Sequence, residues 1–295
     1  MDGKLLKFQK AKKKHEQKVI IGSTLVILGL ILIVLLINSG PYGLILVIPG
    51  IIYAIIGVRN FSILRKSFKT EVLADLIVKS IDNGVFKPEQ GLSQSEVYST
   101  EFLKRADVFH TEDYLAGDID GVSFISSDVK LQERRQVQTK DGTRTEIITY
   151  FLGRVFKFDF NKSFDGYLQV LEKGKPVKKR DYNKIKLESV DFNKKFTTFC
   201  TSEHAAFYVL TPHFMEALRQ FEKNNKGSIS FSFIDNHLFI GINNFRDTFE
   251  LKMFKVLNEE TFNEFRREME VIKEVVHELR LNNDIFKKEW KKWIQ

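Results

Sequence analysis

Charge is what this chain lacks over its most distinctive stretch: from Val19 to Val58 there is no Asp, Glu, Lys or Arg. An ordinary surface helix of a soluble protein keeps a polar face toward water, so this run excludes that reading. The stretch is too long for one membrane crossing, and Asn38-Ser39-Gly40-Pro41 breaks it near the middle. Val19–Ile37 and Tyr42–Val58 are each close to the ~20 apolar residues that a bilayer core requires. Backbone groups inside lipid must bond within the segment, so both are expected to be helices of a hairpin. Pro49 and Gly50 are expected to kink the second.

Cysteine is nearly absent as well. Cys200 stands alone, which excludes an intrachain disulfide and fits a reducing compartment. Proline is scarce at 5 while phenylalanine reaches 27, a balance that suits an ordered, Phe-rich interior better than linkers. Motifs with recognised chemistry are missing: there is no Gly-rich phosphate loop, no HExxH and no Cys-x-x-Cys pair. No cofactor or metal is implied.

The net charge of +8 resides beside the apolar run. Lys4, Lys7, Lys10, Lys12, Lys13, Lys14 and Lys18 precede it against Asp2 and Glu16, and Arg59, Arg65, Lys66 and Lys69 follow it. Residues 70–295 hold 35 bases and 36 acids, near neutrality. Nucleic-acid binding needs a dedicated basic face, and none is present at this level. Short Lys/Arg-rich flanks stay in the cytoplasm, so both termini are expected there and the Asn38–Pro41 turn outside, in a cell (inner) membrane. The expected interface residues are Lys12, Lys13, Lys14, Lys18, Arg59, Arg65 and Lys66, attracted to anionic lipid.

Beyond the hairpin, the spacing of Phe61, Leu64, Phe68, Leu73, Leu76 and Ile77 predicts a juxtamembrane helix over 59–83, stopped by Asn83-Gly84. Ser93-x-x-Glu96 predicts a capping box for a short helix to about Lys104. From about Tyr114 the pattern changes to strands. Val122–Ile125, Val129–Val137, Glu146–Phe160, Tyr167–Leu171, Ile185–Val190 and Phe196–Cys200 are rich in β-branched and aromatic residues, with turns at Asp141-Gly142, Asp165-Gly166 and Gly174-Lys175-Pro176. Phe156, Phe158 and Phe160 alternate with Lys157 and Asp159, which predicts one buried face. Thr211-Pro212 opens a helix that stops near Asn225–Gly227. Ile229–Ile234 and His237–Ile242 form a hairpin about Asp235-Asn236. Asn258 caps a long helix from Glu259 to about Arg280. The expectation is an α+β protein: a transmembrane helical hairpin, then a cytosolic domain (84–283) with a mainly antiparallel sheet and packed helices. Residues 1–18 form the basic leader and 284–295 a tail.

The chemistry-bearing residues read blandly. Asp159-x-Asn161-x-Ser163 begins like a calcium loop, but Phe164 holds the glycine position and Val170 the carboxylate position. Ser202-Glu203-His204 contains an acid–base pair with no evident nucleophile, and a helix start explains it. His213 and His237 fall at a helix start and a turn. Cys200 ends a strand and reads as a buried thiol. In the tail, Phe286, Trp290, Trp293 and Ile294 share one helical face opposite four lysines. That arrangement suits either a helix lying in the headgroup layer, through Trp290 and Trp293, or a last helix closing the core. Asp159–Phe164 and Asp191–Phe196 echo each other over six positions, too short a block to define a repeat.

The hairpin, the Asp159–Phe164 block, Tyr208-Val209-Leu210-Thr211-Pro212 leading to Met215-Glu216, and the Ile229–Phe233 strand together resemble a bacterial two-span membrane family catalogued as domain of unknown function 3137. The resemblance covers the hairpin and about Asp113 to Leu281. It implies a cell-envelope setting and, because such genes neighbour those of LemA-type membrane proteins, a LemA-type partner. It carries over no catalytic residue. Two function classes follow: a non-enzymatic membrane-anchored binding or scaffold module that recruits a protein or lipid partner, or a membrane-bound hydrolase acting on a lipid or envelope intermediate through Glu203 and His204.

Overall fold

The computed structural model describes residues 2–36, 41–140, 142–159, 166–177, 180–247, 249–279 and 281. The chain divides into two compact units, one formed by Met1–Leu76 with Phe249–Asn263, the other by Ile77–Thr248 with Glu264–Gln295.

In the first unit, α1 (Asp2–Leu35) and α2 (Leu44–Phe68) pack as an antiparallel hairpin. Leu5–Leu35 within α1, and Leu44–Val78 formed by α2 and the helical turns that continue it, are long and apolar enough to cross a membrane, with mean hydropathies of 2.7 and 2.0. Their large side chains point outward: Ile27 is 58% exposed, Leu35 73% and Ile45 71%. The contact between the helices is made by glycines instead. Gly22 on α1 faces Gly50, Gly29 faces Gly43 at the N-cap of α2, and Gly57 lies against Val19 and the His15 carbonyl, so the three glycines of the second helix and its cap recur every seven residues along the contact. A Cβ on Gly50 would stand 2.8 Å from the Gly22 carbonyl oxygen, and one on Gly43 would stand 2.0 Å from the Gly29 oxygen. Small residues let helix backbones approach without a hydrophobic force between them, which is the rule in lipid. A seven-residue period keeps them on one left-handed seam.

Helix α2 runs continuously through Pro49. Thr24 returns its hydroxyl to the Ile20 carbonyl at 2.9 Å, so no polar side chain is stranded in that turn. After Phe68 the helix passes through a π turn, Lys69–Leu73, and ends as α3 (Ala74–Val78). The helix expected to reach Asn83 therefore stops five residues early, because Asp82 already begins a strand. Within the same unit Glu250 draws the base of α2 together, accepting from Arg65 at 2.8 Å and pairing with Lys69 at 3.1 Å.

The second unit is built on β1 (Asp82–Lys87), β2 (Val108–Ile119), β3 (Val122–Thr139), β4 (Gly142–Asp159), β5 (Tyr167–Leu171), β6 (Asn183–Ile185), β7 (Thr197–Cys200), β8 (Ser228–Ile234) and β9 (His237–Asn243). They form one antiparallel sheet in the order β1-β2-β3-β4-β9-β8-β5-β7-β6. The helices are α4 (Gln94–Tyr98), α5 (Val190–Lys195), α6 (Glu203–Val209), α7 (Pro212–Asn224) and α8 (Glu259–Glu278), the first turn of α8 falling in the other unit. The architecture is α+β.

The caps formed as their chemistry dictates. Ser93 and Glu96 close a capping box, Thr211 accepts from the Phe214 amide at 3.3 Å, and Asn258 accepts from the Thr261 amide at 3.2 Å. α4 ends at Tyr98, short of Lys104. β1 and the first half of β2 lie upstream of the region where strands were expected. The strand expected at Ile185–Val190 ends at Ile185, and Ser189 instead caps a helix by accepting from the Phe192 amide. The second copy of the echoed block therefore lies on a helix, whereas Asp159 of the first ends a strand. Residues 160–165, including Phe160 and Asn161, lie outside the described residues.

One sheet face carries the main core. Phe156, Phe158, Phe231 and Phe233 are essentially unexposed, with Phe221 at 6.0 Å from Phe231 and Phe214 at 5.9 Å from Phe233. Over Phe156–Asp159 the expected alternation forms, with Phe156 and Phe158 buried and Lys157 and Asp159 more exposed, but it does not extend to Phe151–Val155. On the opposite face Val129, Leu131, Phe151 and Val155 are buried beneath Leu92, Val97 and Leu103, so the middle of the sheet is covered on both sides.

Candidate functional site

On that second face a cavity of about 680 Å³ opens beside the smaller core. Its lining includes Lys104, Lys173, Lys175, Tyr150, Asn243 and Phe245, and no described lining residue is a carboxylate. Its floor comes from a bulge. Leu131 pairs with Phe151 but Gln132 with Thr149, which leaves Tyr150 as an extra residue on β4. Asn243 closes the irregularity, donating to the Tyr150 carbonyl at 2.9 Å and accepting from the Leu152 amide at 3.1 Å. Phe245 donates its amide to the Leu152 carbonyl at 2.9 Å. The Tyr150 hydroxyl donates to the Lys104 carbonyl at 2.5 Å, and the Lys104 ammonium lies 4.9 Å from the Tyr150 ring centre. Burial pushes the Tyr150 phenol well above its ordinary range, so it is a donor at neutral pH. Gly241 has no Cβ because the Phe102 ring occupies that space, at 2.6 Å from where the carbon would be.

The wall that carries Lys173 and Lys175 is held by an arginine. Arg180 donates to both carboxylate oxygens of Glu101, at 2.6 and 2.8 Å, and its guanidinium lies 3.4 Å from the Tyr167 ring centre. The Val177 amide donates to the Glu101 carbonyl at 3.1 Å. A bidentate, stacked guanidinium fixes geometry as well as charge. Lys104 also bridges Glu133 at 3.0 Å.

A second charged group lies on the main-core face. Arg154, 4% exposed, donates to Asp128 at 2.9 Å, to the Asp113 carbonyl at 3.0 Å and to the Ser126 hydroxyl at 3.3 Å. Asp113, Asp128 and Asp247 bring one carboxylate oxygen each within 4.8 Å of the others, a spacing able to hold a cation. Here the guanidinium supplies positive charge to that cluster. Glu268 on α8 sits nearby, and burial raises its carboxyl above the ordinary value despite attraction from Arg154.

The residues singled out from sequence are dispersed. Ser202 accepts from the Ala205 amide at 3.3 Å and starts α6, with Glu203 and His204 exposed on its first turn. His213 is exposed. His237 is 3.6 Å from Asp159, and burial lowers its pKa. Cys200 is buried, and its thiol is pushed up, away from the reactive thiolate. Of the interface cations, Lys12 is buried against Glu16 and lies 6.0 Å from the Phe61 ring, Lys18 lies 5.9 Å from Tyr53, and Arg65 pairs with Glu250. Lys13, Lys14, Arg59 and Lys66 are exposed. Trp290 and Trp293 lie outside the described residues. Sequence reading passed over the cavity lysines: Gly174-Lys175-Pro176 was legible as a turn, but strand pairing is what brings it near Lys104 and Asn243.

Fold and site together define an α+β protein with a nine-stranded antiparallel sheet and two long apolar helices that fit a two-span membrane protein. Residues 149–281 match the model of the family described as Protein of unknown function (DUF3137), so the resemblance seen in the sequence holds over that segment. A search of curated proteins yields no match. Among solved structures, the crystal structure of the mycobacterial trehalose monomycolate transport factor A, TtfA, is similar over 66% of this chain and 88% of that chain, at 10% identity and a TM-score of 0.35. A likeness of that size assigns no activity to this site.

Proposed function

We propose that this protein is a membrane-anchored binding module of the bacterial cell envelope. Its sheet domain, on the cytoplasmic side, captures an anionic, partly apolar segment of a membrane-bound protein partner. The observation that carries the reading is the cavity with three lysines, aromatic walls and no carboxylate among its described lining residues. A concave, mostly apolar site with a few fixed polar groups is the usual form of a binding pocket. The lysine distribution around the hairpin supports cytoplasmic termini. Anchoring adds local concentration: confinement to the bilayer raises the chance of meeting a membrane partner without any further contact. A LemA-type protein is one candidate partner. The hydrolase alternative loses support because Glu203 and His204 stand exposed at a helix start rather than in the cavity.

The test places a photo-crosslinking residue at Val177, on the cavity rim, and another at Val190, on α5, in the full chain expressed in native membranes. A defined protein crosslinked from Val177, absent from Val190 and lost in the Lys173→Glu/Lys175→Glu variant, is the expected outcome. Identical products from both positions, or products unchanged by the charge reversal, would overturn the reading.

A further inference from the structure

In the first unit, the segment following Glu250 lies along the base of the hairpin. Gln9 donates to the Leu257 carbonyl at 2.5 Å, and the Phe254 amide donates to Glu16 at 2.7 Å. Phe254 takes a left-handed backbone conformation, φ 64°, unusual for a bulky residue. Despite those ties, the Phe254 side chain is 58% exposed and that of Val256 is 71% exposed. Two large apolar side chains are thus held outward by a fixed loop, with Lys252 and Lys255 beside them. Beneath them a groove of about 420 Å³ is lined by Lys12, Lys13 and Lys255, by Glu16, which pairs with Lys12, and by the two apolar residues.

The height of this loop along α1 identifies what covers it. Glu16 precedes Val19, the first residue of the uncharged run, by three positions, about 4.5 Å along a helix. The headgroup layer on each side of a bilayer is roughly 5–8 Å thick. The Phe254 backbone, bonded to Glu16, therefore falls within that layer when the helices lie in lipid. Aromatic and aliphatic side chains flanked by lysines are the composition that settles at the boundary between headgroups and acyl chains.

We infer that the loop 252–256 is a second membrane contact: Phe254 and Val256 enter the interface, and the groove takes the phosphate of an anionic phospholipid between Lys13 and Lys255. The contact rests on the spans lying in lipid, and the experiment separates the two. In the full chain with Cys200→Ala, single nitroxide labels are placed by Val256→Cys, by Ile31→Cys within the first span, and by Val190→Cys on α5. The protein is reconstituted in phosphatidylcholine vesicles with and without one part in four phosphatidylglycerol. Accessibility to oxygen is compared with accessibility to a water-soluble nickel complex.

The Val256 label is expected to be protected from nickel by several-fold relative to the Val190 label. Protection should be greater with phosphatidylglycerol, and Phe254→Ser or Lys13→Glu/Lys255→Glu should reduce it. Phe254 and Lys13 are exposed and Lys255 is half-buried, so Phe254→Ser and Lys13→Glu alone, which leave core packing intact, must reduce protection in the same direction as the double change. A Val256 label as open to nickel as that at Val190, with the Ile31 label immersed, would overturn the loop contact alone. Equal protection in both lipids would overturn the anionic headgroup. An Ile31 label open to nickel would overturn the spans and the loop together.

Discussion

The two units solve the same packing problem with opposite residues. The hairpin hides glycines and shows isoleucines and leucines, Gly50 and Gly57 being buried while Ile45 is 71% exposed. The sheet domain hides phenylalanines and shows lysines and glutamates, with Phe231 and Phe233 at 0% exposure. The difference is one of solvent. In water, burying large apolar surface drives folding, at about 25 cal/mol per Å². In lipid that force is absent between helices, and close backbone approach takes its place. Charge follows the same division: the uncharged run of the hairpin contrasts with a fully enclosed Arg154–Asp128 pair in the sheet domain.

The largest test of this contrast is truncation. Phe231→Ala should cost about 3–5 kcal/mol of sheet-domain stability, the usual range for an enclosed phenylalanine. Ile31→Ala in the first span should cost under about 1 kcal/mol, since lipid replaces the lost contacts. Denaturant titration of the full chain in mixed micelles reads both, and comparable losses would break the contrast. Next, Arg154→Met should cost about 3 kcal/mol by leaving Asp128 enclosed without its guanidinium, while Arg154→Met with Asp128→Leu recovers most of it. A double variant as weak as the single one would show that the pair does more than neutralise itself.

Gly50→Leu comes third. Its Cβ meets the Gly22 carbonyl, and overpacking of this kind costs about 1–3 kcal/mol. The loss should appear in the helical transition while the sheet signal is unchanged. The smallest effect belongs to Glu268. Its carboxyl titrates above the ordinary value of 4.5 because burial disfavours the charge. The folded state therefore holds the proton longer than the unfolded chain, and stability falls as pH rises through that window. Glu268→Gln should stabilise the protein by about 1 kcal/mol at pH 7 and have no effect below about pH 4, as read by thermal unfolding across pH.

Legibility divides along the same line. The uncharged run and its basic flanks revealed both helices, because lipid imposes a length and a composition that need no tertiary partner. Caps were equally local: Ser93, Thr211 and Asn258 each marked a true helix start. The glycine seam was present in the sequence as a seven-residue period at Gly43, Gly50 and Gly57, a signal that goes unnoticed when Gly50 is weighed only as a helix breaker. Long-range features were not legible. The strand between Asp82 and Lys87 carries few β-formers and exists through pairing with β2. Ile185–Val190 has strand-like residues, yet Ser189 offers the next amides a cap and the chain turns helical. The cavity required the bulge at Tyr150, and a bulge is a mismatch between two strands that neither strand shows alone.

Helix α1 is continuous from Asp2 to Leu35, 34 residues without a break. At 1.5 Å per residue that is a rod of about 51 Å, of which a bilayer core takes about 30 Å. More than 20 Å of stiff lever therefore stands clear of the hydrocarbon. Bilayers that differ in thickness impose different tilts on a spanning helix, and a tilt of about 10° would swing the first turns of α1, with the loop bonded to Gln9 and Glu16, sideways by roughly 4 Å. Through this helix, membrane thickness becomes lateral motion at the base of the hairpin.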